Sequence, residues 1–356
     1  MKRLVAFLLA AVMCLTLAAC AGGTKDNSTE QAEPAQNQTQ AEPTEQVSDS
    51  DTLDLSKLKI AGMPADASVG FFQSVAKGME AAGEAFGVQL DVQYTSRDLN
   101  KEQTLTDTYL AQGYDGLVMN CSDSSAITGC LQKAADAGVP FISVDTTPER
   151  TDLAAGTVTS DNYAGGYAAG KLMMELLPEG GDIIMTKLEF ASVAMDQRYQ
   201  GFEDAIEGSN INVVDYIEQD GTREDTLTKI APMLTKYDTL VGIYCTQGDP
   251  AIGALSAVDT AGLSDKITII SYDVEDEVAE AIKNGTAIKG GVTQFPFAIG
   301  YFGVYECLRA IAGYEKVEVL ALPVLPITQE NVEEFAADNI AFLAKYGDIT
   351  LPQTLA

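Results

Sequence analysis

The chain has 356 residues, enough for two domains of ordinary size, and 46 % of them are apolar, so sizeable cores can be filled. Lys and Arg total 22 against 52 Asp and Glu, a net charge of −30; such a surface repels phosphate backbones and anionic headgroups and argues against a nucleic-acid partner. Histidine is absent, which removes Ser-His and Cys-His nucleophilic catalysis.

Lys2 and Arg3 precede an apolar run from Leu4 to Ala19, too short for a membrane span and of the length of a signal-peptide core. It ends in Leu17-Ala18-Ala19-Cys20, followed by Ala21-Gly22-Gly23, and resembles a bacterial lipoprotein signal in which Cys20 is lipidated and becomes the mature N-terminus. The expectation is a signal peptide over 1–19, removed on maturation. Thr24 to Thr52 is rich in Gln, Glu, Ala, Thr and Ser and lacks aromatic residues, so it cannot bury enough surface to fold. Residues 20–52 read as the lipidated cysteine and a tether reaching on the order of 30 Å as a flexible chain. The remaining cysteines, Cys121, Cys130, Cys245 and Cys307, show no C-x-x-C spacing and read as buried free thiols; with no histidine either, no metal site and no cofactor is expected.

From Leu58 onward short apolar runs alternate with longer amphipathic stretches. The runs are 58–63, 88–94, 116–119, 140–144, 182–185, 212–217, 240–244, 267–271 and 288–293, most of them apolar on consecutive positions, as parallel strands buried on both faces require. Between them Phe71, Val75, Met79, Ala82 and Phe86 make one helical stripe, and Ala298, Phe302, Tyr305 and Leu308 another. The pattern predicts an α/β chain with two doubly wound parallel-sheet, Rossmann-like lobes, the first crossing between them falling near Ser160-Asp161-Asn162. A helix over Glu330–Ala344 is expected to pack on a lobe. Gly165 to Lys171 fits part of a phosphate-binding loop, but Leu172 follows the lysine where Ser or Thr is required, so it reads as a helix with a small-residue face.

Polar side chains follow the apolar runs: Asn120, Asp145, Gln247, Asp273 and Gln294. In open α/β sheets ligands bind outside the carboxyl ends of the strands. Carboxylates accept from hydroxyl groups and amides both donate and accept, so together they suit a ligand carrying several OH groups. Each residue alone could be a helix cap; five, divided between both halves, point to a site. Phe71-Phe72 offers a face for a sugar ring or for the core.

The body resembles the type I periplasmic binding proteins of the ribose and galactose group, which share their fold with the core of the lactose-repressor family. The stretches that carry the resemblance are Met63 to Phe72, Gly116 to Asn120, Pro140 to Asp145, Ser160 to Gly165, Arg198-Tyr199-Gln200-Gly201-Phe202, Gly253-Ala254-Leu255, Asp273 and Gln294-Phe295-Pro296. The resemblance implies ligand contacts at Phe71, Phe72, Asn120, Asp145, Asp273 and Gln294; Asp66, Thr146, Asp196 and Gln247 complete the candidate set. It also implies a three-stranded hinge with crossings near Asp161, Gln294 and Pro323. The N-terminal lobe is then 53–160 plus 295–322, and the C-terminal lobe 161–294 plus 323–356.

Two departures stand out. Thr146 occupies the place of an arginine that ribose-type members carry after the aspartate, and Asp196 is read as the place of a second. The cleft therefore tilts toward acceptors and toward a donor-rich ligand: a polyol, an unusual sugar, or one bearing an amine. The partners implied are a small sugar or polyol, the permease of an ABC importer, and the extracytoplasmic face of a bacterial cell membrane through the lipid on Cys20. A sensory receptor that presents its ligand to a membrane kinase or chemoreceptor has the same sequence features. Paired carboxylates such as Asp145 and Asp273 could also serve a glycosidase, but the resemblance implies binding without chemistry, so no enzyme is expected. No basic recognition helix precedes the body, which sets the repressor function aside.

Overall fold

The computed structural model describes residues 53–189 and 192–355. The expected signal segment 1–19, Cys20 and the tether to residue 52 lie outside the described residues.

The chain runs β1 (Lys59–Met63), α1 (Gly70–Phe86), β2 (Gln89–Val92), α2 (Leu99–Ala111), β3 (Gly116–Met119), α3 (Thr128–Ala137), β4 (Phe141–Val144) and β5 (Gly156–Ser160). It continues with α4 (Asn162–Leu176), β6 (Gly181–Leu188), α5 (Val193–Ile206), β7 (Ile211–Gln219), α6 (Arg223–Ile230), α7 (Met233–Lys236), β8 (Leu240–Cys245), α8 (Gly248–Thr260), β9 (Thr268–Tyr272), α9 (Asp276–Lys283) and β10 (Ile288–Thr293). It ends with α10 (Pro296–Ile311), β11 (Val319–Leu322), β12 (Leu325–Thr328), α11 (Val332–Ala337) and α12 (Asn339–Tyr346).

Two six-stranded sheets result, in the orders β11-β5-β4-β3-β1-β2 and β12-β10-β9-β8-β6-β7. All pairings in the first are parallel. In the second the edge strand β12 runs antiparallel to β10, a departure from the all-parallel expectation: the chain reaches β12 from β11 of the other sheet through Pro323-Val324 alone and not through a crossover helix from β10.

The helical stripes fill the cores. Phe71, Val75, Met79, Ala82 and Phe86 of α1 are all buried, and the helix stops at Gly87, whose left-handed φ of 68° closes the last turn. α10 packs on α1, β3, β4 and β5 and belongs to the first lobe; α4 packs on α5, β9 and β10 of the second. Gly166 of α4 lies against the Arg198 carbonyl of α5, where a Cβ would collide, so the glycines that mimic a phosphate loop serve close helix contact.

Three strands escape the apolar-run reading. β5 reads Gly-Thr-Val-Thr-Ser, yet every residue is buried between β4 and β11; Thr159 Oγ1 donates to the Asp145 carbonyl at 2.7 Å, while the Thr157 and Ser160 hydroxyls are buried without a side-chain partner. β11 and β12 are four-residue edge strands with mixed exposure. The single helix expected over 330–344 is two, α11 and α12. The chain breaks at Asp338, extended at φ −159°, whose carboxylate accepts from the amides of Ile340 (3.1 Å) and Ala341 (2.9 Å).

The chain passes from one sheet to the other between β5 and α4, between β10 and α10, and between β11 and β12. The grouping of 323–356 with the second lobe needs one correction. Tyr301 Oη on α10 donates to the Pro352 carbonyl at 2.6 Å, so the last residues return to the first lobe. Cys121, Cys130, Cys245 and Cys307 are buried free thiols.

Candidate ligand-binding cleft

The strand ends of both sheets open on one cleft of about 1420 Å³. Its walls come from the loops after β1 to β5 and from β11 on one side and from the loops after β6, β7, β8 and β9 on the other, with Gln294 between. A second hollow of about 600 Å³ lies away from these ends, on α4 and β12, and gathers Tyr163, Tyr167, Leu172 and Pro326.

Asp145 and Asp273 occupy equivalent places at the ends of β4 and β9. Both have left-handed backbones, φ 64° and 74°, a conformation that costs most side chains but that Asp tolerates. Their amides continue the sheets, Asp145 to the Val158 carbonyl (2.7 Å) and Asp273 to that of Val292 (2.8 Å). The turn throws each carboxylate into the cleft, where an amide steadies it. Asn120 Nδ2 lies 3.0 Å from Asp145 Oδ2, and Gln294 Nε2 lies 2.7 Å from Asp273 Oδ1.

Of the ten ligand-contact candidates, nine line the cleft: Asp66, Phe71, Phe72, Asp145, Thr146, Asp196, Gln247, Asp273 and Gln294. Asn120 does not. It is 1 % exposed and sits beneath Asp145, donating also to the Val144 carbonyl at 3.0 Å, so it positions the aspartate from below. Asp66 is occupied by its own loop, accepting from the Ser68 amide and hydroxyl (2.9 and 2.7 Å), with Arg97 3.8 Å away. Phe71 is buried and Phe72 half-buried, and the rings meet edge to face at 5.2 Å. Gln247 opens α8 and accepts from Gln219 Nε2 at 3.4 Å.

Beside Asp196, which lines the cleft as expected, stands an arginine that the candidate set omits. Asp196 is exposed at the rim, in the first turn of α5, whereas Arg198, two residues on, turns inward and is 3 % exposed. Arg198 Nε donates to Asn162 Oδ1 (2.9 Å) and Nη1 to the Thr246 carbonyl (3.0 Å). Its guanidinium lies 3.7 Å from the Tyr272 ring centre and 3.8 Å from Asp273 Oδ2. The cleft thus keeps a buried donor fork. The signal was in Arg198-Tyr199-Gln200-Gly201-Phe202, where period-four burial of Arg198 with Phe202 places the arginine inward.

Arg97 and Glu275 were also unread. Arg97 follows Ser96 in a left-handed turn (φ 61° and 53°) and lies 5.1 Å over the Phe72 ring, restoring a guanidinium to the lobe where Thr146 removes one. Burial pushes the Asp145 carboxyl up to about 6 against the pull of Arg198 and Asn120. Burial likewise raises Asp273, opposed by Arg198 and Gln294, and pushes Glu275 up to about 7, helped by Asp273 and Asp249. The site is a desolvated, acceptor-rich chamber; no group of three or more His, Cys, Asp or Glu that could hold a metal ion is found among the described residues.

Residues 60–315 match the periplasmic binding protein domain. The chain belongs to this family. It is a family of substrate-binding transport proteins, not of enzymes. The ribose import binding protein of Salmonella typhimurium is 27 % identical over 248 residues, 70 % of this chain and 82 % of that one. That of Bacillus subtilis is 25 % identical over 260 residues, 73 % and 84 % of the two chains. The solute-binding protein of Actinobacillus succinogenes 130z, solved with bound D-allose, superposes with a TM-score of 0.74 at 24 % identity, covering 78 % of this chain and all of that one. The family shares the two-lobed α/β architecture described above.

Proposed function

We propose that this protein is the solute-binding lipoprotein of an ABC importer, capturing a small sugar or polyol between its lobes. The observation that carries the reading is the pair of cleft-facing aspartates, Asp145 and Asp273, one from each lobe, around the buried Arg198. Carboxylate acceptors and a rigid donor fork match the alternating donors and acceptors of a polyhydroxylated ring. The likeness to ribose import proteins and to an allose-bound protein supports the same class. Phe71 and Phe72 supply an apolar face for such a ring.

The cycle follows from the three crossings. Solute held by one lobe makes further contacts with the other only when the hinge closes, so closure is favoured by that difference in contacts. A solute lacking one hydroxyl leaves a buried carboxylate or amide unpaired and is rejected strongly. The closed form is the one a permease is expected to engage. Cys20 would carry the lipid and hold the protein at the extracytoplasmic face of the membrane.

A thermal-shift screen against pentoses, hexoses and inositols tests the solute class. A compound at about 100 times its Kd adds roughly 2.7 kcal/mol, a rise of several degrees. A panel without any shift contradicts the reading. Cys20→Ala tests the anchor: the protein should leave the membrane fraction and lose labelling by a radioactive fatty acid.

A further inference from the structure

Charge in the cleft does not balance. Among the described residues that line it are eleven carboxylates, three guanidiniums and no lysine. The three guanidiniums are engaged. Arg198 holds Asn162, Thr246 and Asp273. Arg223 holds Asp249 at 2.6 Å and Glu277 at 2.5 Å, and Arg97 lies between Asp66 and the Phe72 ring.

Glu275, at the start of α9, is left over. It lines the cleft, is mostly shielded from solvent, and its carboxylate has no hydrogen bond or ion pair among the described residues. The charged groups that bear on it are Asp273, Asp249 and Asp276, which repel, and Arg223, already shared between two other acids. From the opposite lobe it faces the N-terminus of α1: a Cβ on Gly70 would lie 3.7 Å from Glu275 Oε2. A helix terminus offers about half a positive charge, too little to offset Glu275 and its acidic neighbours. A second observation points the same way. Gln294 is 4 % exposed and lines the cleft; its Nε2 is spent on Asp273, and its buried Oε1 finds no donor.

Resting on the sugar- or polyol-binding reading above, we propose that the captured solute carries a protonated amine, which Glu275 receives at the acidic end of the cleft beside Asp273 and Gln294. An ammonium brings one charge and three donors to a place where Glu275 and Gln294 Oε1 are acceptors without a donor; a hydroxyl brings one donor and no charge. Burial first, and then the neighbouring acids, raise the Glu275 carboxyl, and a cation held against it would offset both.

Calorimetric titration of the full-length protein at pH 7 tests this with matched triplets. These are D-glucosamine, D-glucose and N-acetyl-D-glucosamine; the three galactose counterparts; and an inosamine with its parent inositol and N-acetyl derivative. One amine should bind at least about 10-fold more tightly than its neutral parent and its acetylated form, a margin of the size of a charge-assisted hydrogen bond. In Glu275→Gln that margin, taken as the ratio of amine to neutral parent in the same variant, should fall below about 3-fold. Neutral members binding as tightly as their amines, or a margin unchanged in Glu275→Gln, overturns the amine assignment and leaves the sugar-binding reading standing. Silence from all members overturns both.

Discussion

The two lobes place the same four-residue phrase at their cleft-facing strands, Ile142-Ser143-Val144-Asp145 and Ile270-Ser271-Tyr272-Asp273, and equip it differently. In both, the serine hydroxyl folds back on the turn, Ser143 to the Thr146 carbonyl (2.6 Å) and Ser271 to that of Asp273 (2.8 Å). In both, the aspartate is left-handed and braced by an amide. The difference lies at Val144 against Tyr272. The tyrosine ring is a platform for Arg198, so the second lobe brings a cation to its own aspartate. The first lobe has no such platform: Asp145 is braced by Asn120, and the cations that favour its charge, Arg198 from the other lobe and Arg97 from its own, make no ion pair with it among the described residues. One half of the site is organised before solute arrives; the other is completed by it.

Removing the cation is the strongest way to break this asymmetry. Arg198→Met should destabilise the protein by about 3–5 kcal/mol in urea unfolding, because Asp273 and Asn162 lose a buried partner. An unchanged midpoint would mean that the second lobe does not rely on its arginine.

A pH series sharpens the contrast. Asp145 at about 6, Glu275 at about 7 and the raised Asp273 all lie above their unfolded values. Ionisation is therefore penalised in the fold: what these groups contribute is fully present below about pH 4 and is lost as pH rises through 6 and 7. The solute-free protein should melt higher at pH 5 than at pH 7.5. Asp145→Asn should reduce that difference by about 1 kcal/mol, and an identical slope in the variant would assign it to other acids.

The shared backbone is probed by Asp273→Gly against Asp273→Ala, and by the same pair at Asp145. Alanine should cost about 1 kcal/mol more than glycine at each, because of the left-handed φ. Equal costs at either position would remove that half of the symmetry. Smallest is the pair Ser143→Ala and Ser271→Ala, each about 1 kcal/mol or less by thermal melts. A large difference between them would show that the two turns are not equivalent.

What could be read in the sequence follows burial on two faces. β3, with Gly116-Leu117-Val118-Met119 entirely buried, announces itself as an apolar run. β5 does not, because Thr159 is satisfied by neighbouring backbone rather than by water and Thr157 is buried without a side-chain partner, and composition cannot distinguish such threonines from solvated ones. Asp145 and Asp273 were legible as polar residues ending apolar strands. Arg198 was not, because on a helix two residues decide between rim and floor, and Asp196 and Arg198 differ by 200° around α5 at about 100° per residue. Asn120 was read as touching solute because it ends its strand as the aspartates do; its place beneath Asp145 depends on a contact 25 residues away in sequence.

The three crossings have a consequence for how the chain is made. The N-terminal lobe closes its core with Phe302, Cys307 and Leu308 of α10 and flanks β5 with β11. All of these follow β6 to β10 in the chain. Synthesis from the N-terminus thus delivers five strands of the second lobe before the first can be finished. The lobe that begins the body is the one that has to wait, the reverse of the usual order in which domains assemble as they emerge.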